Sequence, residues 1–202
     1  MQSITKKLFQ EIDQHLHVDH IFFIDEGACK LTGVLRNSAD AISIAQHIKQ
    51  KIKSNVGDYI TCSIGIAPNR YLAKIASNIQ KPDGLTVIRS EDLPDVLYKL
   101  NLKDLPGVGN KTYKRLIDQG VVTTEQLHSY SRPHLRALWG SIWGEKIWYL
   151  IRGVDLPLED SKTSCINQSQ VLAPELRNIE GARSTLLPLV LKAASRLRGK
   201  NY

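Results

Sequence analysis

Cysteine is scarce in this chain of 202 residues, which contains only three. Cys29, Cys62 and Cys165 lie far apart and form no C-x-x-C pair, so their pattern predicts neither a disulfide framework nor a zinc site. Long apolar runs are also absent, since none approaches the ~18 residues that a membrane-spanning helix requires. The N-terminal segment is interrupted by charges and lacks the apolar core of a signal peptide. We therefore expect a reduced, cytoplasmic protein with no membrane segment.

Acidic residues are in the minority. The chain carries 27 Lys and Arg against 20 Asp and Glu, for a formal net charge of +7 and a pI near 9.3. Residues 1–100 hold 12 basic and 11 acidic side chains, whereas residues 101–202 hold 15 and 9. Such an excess is typical of a protein that binds a polyanion, with a merely soluble basic surface as the alternative. We expect the C-terminal half to contact the anionic partner.

Apolar periodicity predicts an α+β arrangement over the first 89 residues. The predicted order is ββαβαβ, with the helices packed on one face of a sheet. The predicted elements are strands near 20–24, 28–32, 59–66 and 85–88, a helix that begins at Ser38, and a helix over 69–81. From residue 90 onward the pattern becomes helical as far as residue 151. A linker is predicted over 153–163, a strand over 166–172 and a helix over 180–198.

Two adjacent acids, Asp25 and Glu26, follow an apolar run and precede Gly27. Successive side chains of a strand point to opposite faces, so both acids can reach one site only if the chain turns there. Carboxylate oxygens suit Mg²⁺, and nucleotidyl transfer commonly uses two such ions. The alternative is that the pair is ordinary turn chemistry at the tip of a hairpin.

The helix predicted over 69–81 has one apolar face and one basic face. Its basic face ends in the turn Lys81-Pro82-Asp83-Gly84 and suits a triphosphate or a nucleic-acid backbone. A solvated amphipathic helix explains the same spacing. The apolar positions are Leu72, Ile75, Ala76 and Ile79, and the opposite positions are Arg70, Lys74, Asn78 and Lys81.

The segment 105–111, LPGVGNK, is typical of a helix-hairpin-helix. Its two glycines let the backbone approach a partner closely, and the free N–H groups of the next helix face a phosphate. Contacts to phosphates position a protein without reading bases, as a DNA binder without sequence preference requires. A plain αα-hairpin packed against its neighbours is the alternative.

Six segments resemble the Y-family translesion DNA polymerases, the DinB/UmuC-like group: SIGIAPNRYLAKIAS, KPDGLTVI, FIDEG, LPGVGNK, GSIWGEKIWYLIRGVD and SQVLAPELRNIEGARSTLLPLVLKAASRLR. The resemblance implies a partial, ferredoxin-like palm over 1–89 and a small all-α helix-hairpin-helix thumb over 90–158. It implies a linker and the start of an α+β little finger over 159–202. It further implies a fragment that lacks the first palm strand, the fingers and most of the little finger.

The resemblance also implies roles for individual residues. Asp25 and Glu26 match two of the catalytic acids that hold two Mg²⁺ ions, and the third carboxylate of that site belongs to the first palm strand, which this chain is expected to lack. Lys74 and Lys81 match the lysines beside the nucleotide triphosphate. The residues that match the DNA-binding loop of the thumb are Gly107, Val108, Gly109, Asn110 and Lys111.

The implied function is extension of a primer with deoxynucleoside triphosphates opposite damaged template. The implied partners are primer–template DNA, deoxynucleoside triphosphates and, for the full-length protein, a sliding clamp. Phe23 stands where the family motif has serine, Gly27 where it has alanine, and Lys30 where an acid is common. These departures leave a second hypothesis open, a non-catalytic DNA-binding or scaffold protein derived from the polymerase fold.

Overall fold

The computed structural model describes residues 4–157 and 166–199. The chain divides into two compact units, Met1–Pro157 and Leu158–Tyr202. A further boundary at residues 89 and 90, which would divide the first unit into palm and thumb, stays a prediction. Cys29 and Cys62 are free thiols, and Cys165 lies outside the described residues.

The first unit begins with a helix that the sequence did not predict, α1 (Ile4–Asp13). It buries Phe9 and Glu11 and packs against α2 (Ser38–Asn55). Along the chain, α1 is followed by an antiparallel hairpin of β1 (His20–Phe23) and β2 (Glu26–Ala28), which precedes α2. Asn37, one residue before the predicted cap, accepts a hydrogen bond from the Ala39 amide and begins α2.

A β-α-β unit follows, made of β3 (Ile64–Ile66), α3 (Arg70–Ile79) and β4 (Leu85–Val87). The two strands are parallel, and α3 packs directly against β3. A methyl group at Gly65 would lie 2.0 Å from the Ala73 carbonyl oxygen, so glycine is what allows this close approach. The predicted order ββαβαβ is confirmed, although β2 lies before most of the strand predicted near 28–32 and β3 covers only the end of the strand predicted near 59–66.

The prediction of one sheet is wrong for the described residues. Their four strands form two separate two-stranded sheets, β1 with β2 and β3 with β4. A strand joins a sheet only through hydrogen bonds along an edge, and no ladder connects the hairpin to the parallel pair. All four side chains of β1 are exposed.

The rest of the first unit is helical, as predicted. Its helices are α4 (Asp95–Tyr98), α5 (Asn110–Asp118), α6 (Thr124–Ser129), α7 (Arg132–Trp139) and α8 (Ile142–Leu150). One hydrophobic core runs from α3 into these helices, and its fully buried side chains include Leu72, Ile75, Leu102, Leu116, Leu127, Leu135 and Ile147. Trp139 is buried in this core, and Trp143 and Trp148 pack against it.

The second unit contains α9 (Ile179–Arg198), which begins close to the predicted residue 180 and ends at the predicted residue 198. The strand predicted over 166–172 is wrong, because these residues form neither helix nor strand. An extended segment becomes a strand only when a neighbour completes its hydrogen bonds, and no described strand does so here. Residues 158–163 of the predicted linker lie outside the described residues. No helix in the described ranges is long and apolar enough to cross a membrane.

Candidate nucleotide and DNA site

The hairpin determines where the two predicted metal ligands lie. Ile24 and Asp25 form its turn, and Glu26 is the first residue of β2, paired with Phe23. The side chain of Asp25 is exposed and makes no hydrogen bond or ion pair with another described residue. The chain thus turns at Asp25, immediately before Glu26, so the strict alternation of strand side chains does not apply between these two acids.

Glu26 forms an ion pair with Lys74, a residue 48 positions away in the sequence. The pair joins the hairpin to α3, and both side chains are about one-third exposed, at 37% and 33%. A predicted metal ligand and a predicted triphosphate ligand therefore meet directly. The described residues contain no cluster of three or more metal-ligating side chains. The donor pair Asp25 and Glu26 still fits Mg²⁺, because this ion commonly uses one or two carboxylates with water and substrate phosphates.

The three cations of the basic face predicted for α3 lie in three different environments. Arg70 donates a hydrogen bond of 3.1 Å to the Leu156 carbonyl, so it holds two segments of the first unit together. Lys74 pairs with Glu26. Lys81 lies beyond the helix, which ends at Ile79 rather than at the predicted residue 81, and its side chain is exposed. Of the three cations on the predicted face, Lys81 is the one directed to solvent.

The predicted DNA-binding loop lies between a short 3₁₀ turn (Leu102–Asp104) and α5. Gly107 has a φ of +88°, a left-handed conformation that favours glycine, and Val108 is buried. Gly109 begins α5 with extended backbone, and no side chain caps the helix. The first N–H groups of α5 are therefore available to an anion, and the exposed Lys111 adds a positive charge beside them.

Three residues that the sequence did not single out hold this arrangement together. The buried Asn69 caps α3 and donates to the carbonyls of Leu150 and Val154, at 2.9 and 3.0 Å. The hydroxyl of Tyr71, also on α3, donates a 3.0 Å hydrogen bond to the Pro106 carbonyl, next to Gly107. Lys49 of α2 contacts the turn after α3. Helix α3 thus connects the candidate nucleotide site to the candidate DNA loop.

Comparison with known proteins places this geometry in a family. A model of the impB/mucB/samB family matches residues 1–78, and a model of the DNA polymerase-iota thumb domain matches residues 103–155. DNA polymerase IV of Treponema denticola is 34% identical over 178 residues, which cover 87% of this chain and 43% of that relative. The chain belongs to the Y family of DNA polymerases.

A second curated relative has a similar identity to this chain. DNA polymerase IV of Yersinia enterocolitica is 33% identical over 177 residues, which cover 87% of this chain and 49% of the relative. The chain spans about half the length of the curated relatives it matches.

Solved structures of Y-family polymerases share the fold. DinB from Sulfolobus solfataricus has a TM-score of 0.66 at 28% identity, covering 78% of this chain and 46% of that one. An insertion ternary complex of Dbh DNA polymerase has a TM-score of 0.68 at the same identity and the same coverage. A Y-family DNA polymerase chimera of Dbh and Dpo4 reaches a TM-score of 0.75 over 95% of this chain and 56% of that one. Because its identity is 24%, this last likeness concerns the fold alone.

The matched Y-family regions include most of the candidate site residues. The region 1–78 contains Asp25, Glu26 and Lys74, and the region 103–155 contains the whole loop 107–111. Lys81 lies three residues beyond the first region. The roles of these individual residues stay predictions.

Proposed function

We propose that this chain supplies the catalytic palm and the DNA-binding thumb of a DNA-directed DNA polymerase that extends primers opposite damaged template. The observation that carries the proposal is the contact between Glu26 and Lys74. It brings a carboxylate suited to a metal ion together with a cation suited to a triphosphate. The relatives named DNA polymerase IV support the same function.

In this proposal Asp25 and Glu26 hold Mg²⁺. Bound there, the metal would stabilise the entering and leaving oxygens of nucleotidyl transfer. Lys74 and Lys81 donate charge-assisted hydrogen bonds to the triphosphate and offset its negative charge. In the ion pair, Glu26 and Lys74 hold the places of each other's ligands. On substrate binding, Glu26 would exchange the Lys74 ammonium for another cation, the metal ion. Lys74 would exchange the Glu26 carboxylate for another anion, the triphosphate.

The thumb loop holds the duplex by its backbone. Gly107, Val108 and Gly109 shape the loop, while the first N–H groups of α5, from Asn110 onward, and the Lys111 ammonium face a phosphate. These groups recognise charge and backbone shape, so the proposed binding has little sequence preference. We also propose a cytoplasmic location and, for the full-length protein, contact with a sliding clamp, both on the family resemblance alone.

Salt dependence tests the DNA-binding half of the proposal. With about three phosphate contacts, affinity for a primed duplex is expected to fall roughly 40-fold between 50 and 200 mM salt. Fluorescence anisotropy over this range gives the slope of log affinity against log salt. Lys111→Ala is expected to reduce the slope by about one, whereas Lys99→Ala, at the end of α4, leaves it unchanged. Binding that does not depend on salt would contradict the proposal.

The ion pair between Glu26 and Lys74 should matter to catalysis more than to folding. We expect Lys74→Met to change the free energy of unfolding by less than about 1 kcal/mol, because solvent-exposed ion pairs contribute little. The same change should lower deoxynucleotide incorporation at least about tenfold, because a triphosphate contact is lost. Urea denaturation and single-nucleotide incorporation measure the two effects.

Lys30→Met is the matched control, since Lys30 forms a more exposed ion pair with Asp155 at 3.8 Å. A loss of stability above about 2 kcal/mol for Lys74→Met would assign the pair to holding the hairpin instead. If the full-length protein that contains this chain binds primed DNA and incorporates no deoxynucleotide, the non-catalytic hypothesis becomes the better one.

A further inference from the structure

Lys49 of α2 lies at the centre of a cluster of oxygen atoms that no part of the proposed function uses. Its ammonium donates to the carbonyls of Cys62 and Asp83, both at 2.7 Å, and to the Asp83 carboxylate. The Gly84 carbonyl oxygen lies 3.4 Å away. The Lys49 side chain is only 18% exposed. One partly buried cation thus joins α2, the segment before β3 and the turn that follows α3.

The turn itself needs such support. Asp83 has a φ of +60°, which is uncommon for any residue other than glycine and persists only where the surroundings hold it. Lys49 contacts both the backbone and the side chain of Asp83. Its hydrogen bond holds the pKa of the Asp83 carboxyl below its ordinary value, so the carboxylate stays charged. On the other side of the turn, Gly84 donates to the Ser63 hydroxyl and its carbonyl accepts from the Ile64 amide.

A lysine ammonium has three donors, and the acceptors around Lys49 use them all. The Lys49 ammonium therefore hydrogen-bonds within the protein and has no donor left for a ligand. Lys81, two residues before Asp83, is exposed and makes no ion pair among the described residues. The partly buried Lys49 thus holds the turn, whereas the exposed Lys81 is free to meet a ligand from it.

We propose that Lys49 is a positioning residue for nucleotide binding, which fixes the turn 81–84 so that the Lys81 ammonium meets the triphosphate. The inference rests on the proposed function, because it takes Lys81 to be a triphosphate contact. Lys49 acts through the turn and does not touch the nucleotide. Removing it leaves the charge of Lys81 in place and releases the backbone that presents it.

The test measures binding of dCTP with Mg²⁺ to the chain on a primer–template whose primer ends in a dideoxynucleotide opposite template dG. Lys49→Met is expected to weaken dCTP binding about tenfold, because a small misplacement of a binding group is costly. Affinity for the DNA should stay within about twofold. Lys49→Arg should restore most of the loss, since it keeps the charge and the donors.

Lys53→Met is the matched control. Lys53 lies one turn further along α2, is exposed, and forms no hydrogen bond within the described ranges, although its charge also acts on Asp83. Like Lys49→Met, the substitution Lys53→Met removes one positive charge from α2, and it should leave dCTP binding unchanged. Thermal unfolding checks that each variant is folded. If Lys49→Met does not fold, Lys49→Gln removes the charge and keeps a donor.

A double-mutant cycle separates positioning from general destabilisation. In a Lys81→Ala background, Lys49→Met should cause no further loss of dCTP affinity, because the group it positions is gone. Hydrogen exchange should show faster exchange of the Gly84 amide in Lys49→Met and not in Lys53→Met.

The outcomes distinguish failure of the proposed function from failure of the positioning role of Lys49. If the unaltered chain does not bind dCTP, the proposed function fails, and the positioning role fails with it. If Lys81→Ala weakens binding but Lys49→Met does not, the proposed function stands and the positioning role is overturned. Additive losses in the double variant would likewise overturn the positioning role.

Discussion

In the full-length polymerase, Asp25→Asn is expected to lower the rate of deoxynucleotide incorporation at least about a thousandfold, because the substitution removes a carboxylate that we propose as a metal ligand. Asparagine keeps the size of the side chain, and Asp25 is exposed in the turn without a partner among the described residues. The free energy of unfolding should therefore change by less than about 0.5 kcal/mol. Single-turnover incorporation assays measure the rate, and urea denaturation measures the stability.

The control for this prediction is Asp58→Asn. Asp58 is an exposed acid in the loop after α2, and its neutralisation should leave incorporation unchanged. Affinity of Asp25→Asn for primed DNA should stay within about twofold of the unaltered chain, because the thumb loop is intact. Incorporation that survives Asp25→Asn would remove Asp25 from the metal site and leave Glu26 without its proposed companion.

Gly107→Ala is expected to destabilise the protein by about 2–4 kcal/mol. The φ of +88° at Gly107 is costly for alanine, and the added methyl group would lie 2.6 Å from Nε1 of the Trp143 side chain. Relief would require movement of Trp143, which packs against the core. Urea denaturation of the variant measures the loss, and unchanged stability would contradict the left-handed loop.

Gly109→Ala is the matched control for folding and a separate test of DNA contact. Gly109 has a φ of −78°, and a methyl group there would meet nothing within 4 Å. Its stability should stay within about 1 kcal/mol, because the restriction that alanine places on the unfolded chain is offset by the poorer fit of alanine to the N-cap position. Affinity for primed DNA should nevertheless fall about three- to tenfold, since the methyl group would separate the backbone from a phosphate. Unchanged DNA affinity would mean that the start of α5 does not meet the phosphates.

The sequence by itself determined the order ββαβαβ of the first unit and the helical character of the residues that follow it, although it did not predict α1. The apolar spacing of α3 predicted its buried face, and Leu72, Ile75 and Ala76 are indeed buried, although Ile79, at the end of the helix, is 45% exposed. The apolar run before Asp25 and Gly27 after Glu26 predicted the hairpin. Such patterns are readable because a helix or a tight turn depends on residues that are close in the sequence.

The tertiary structure alone decided which side chains meet. Glu26 and Lys74 are 48 positions apart, and Lys49 and Asp83 are 34 apart, so no periodicity relates either pair. The same dependence on distant partners explains the errors, namely the single sheet and the strand over 166–172. A strand forms only when another segment supplies its hydrogen bonds, and that supply depends on how the whole chain folds. A lysine likewise holds a turn, as Lys49 does, or stays exposed, as Lys81 does, according to the oxygen atoms that the fold brings around it.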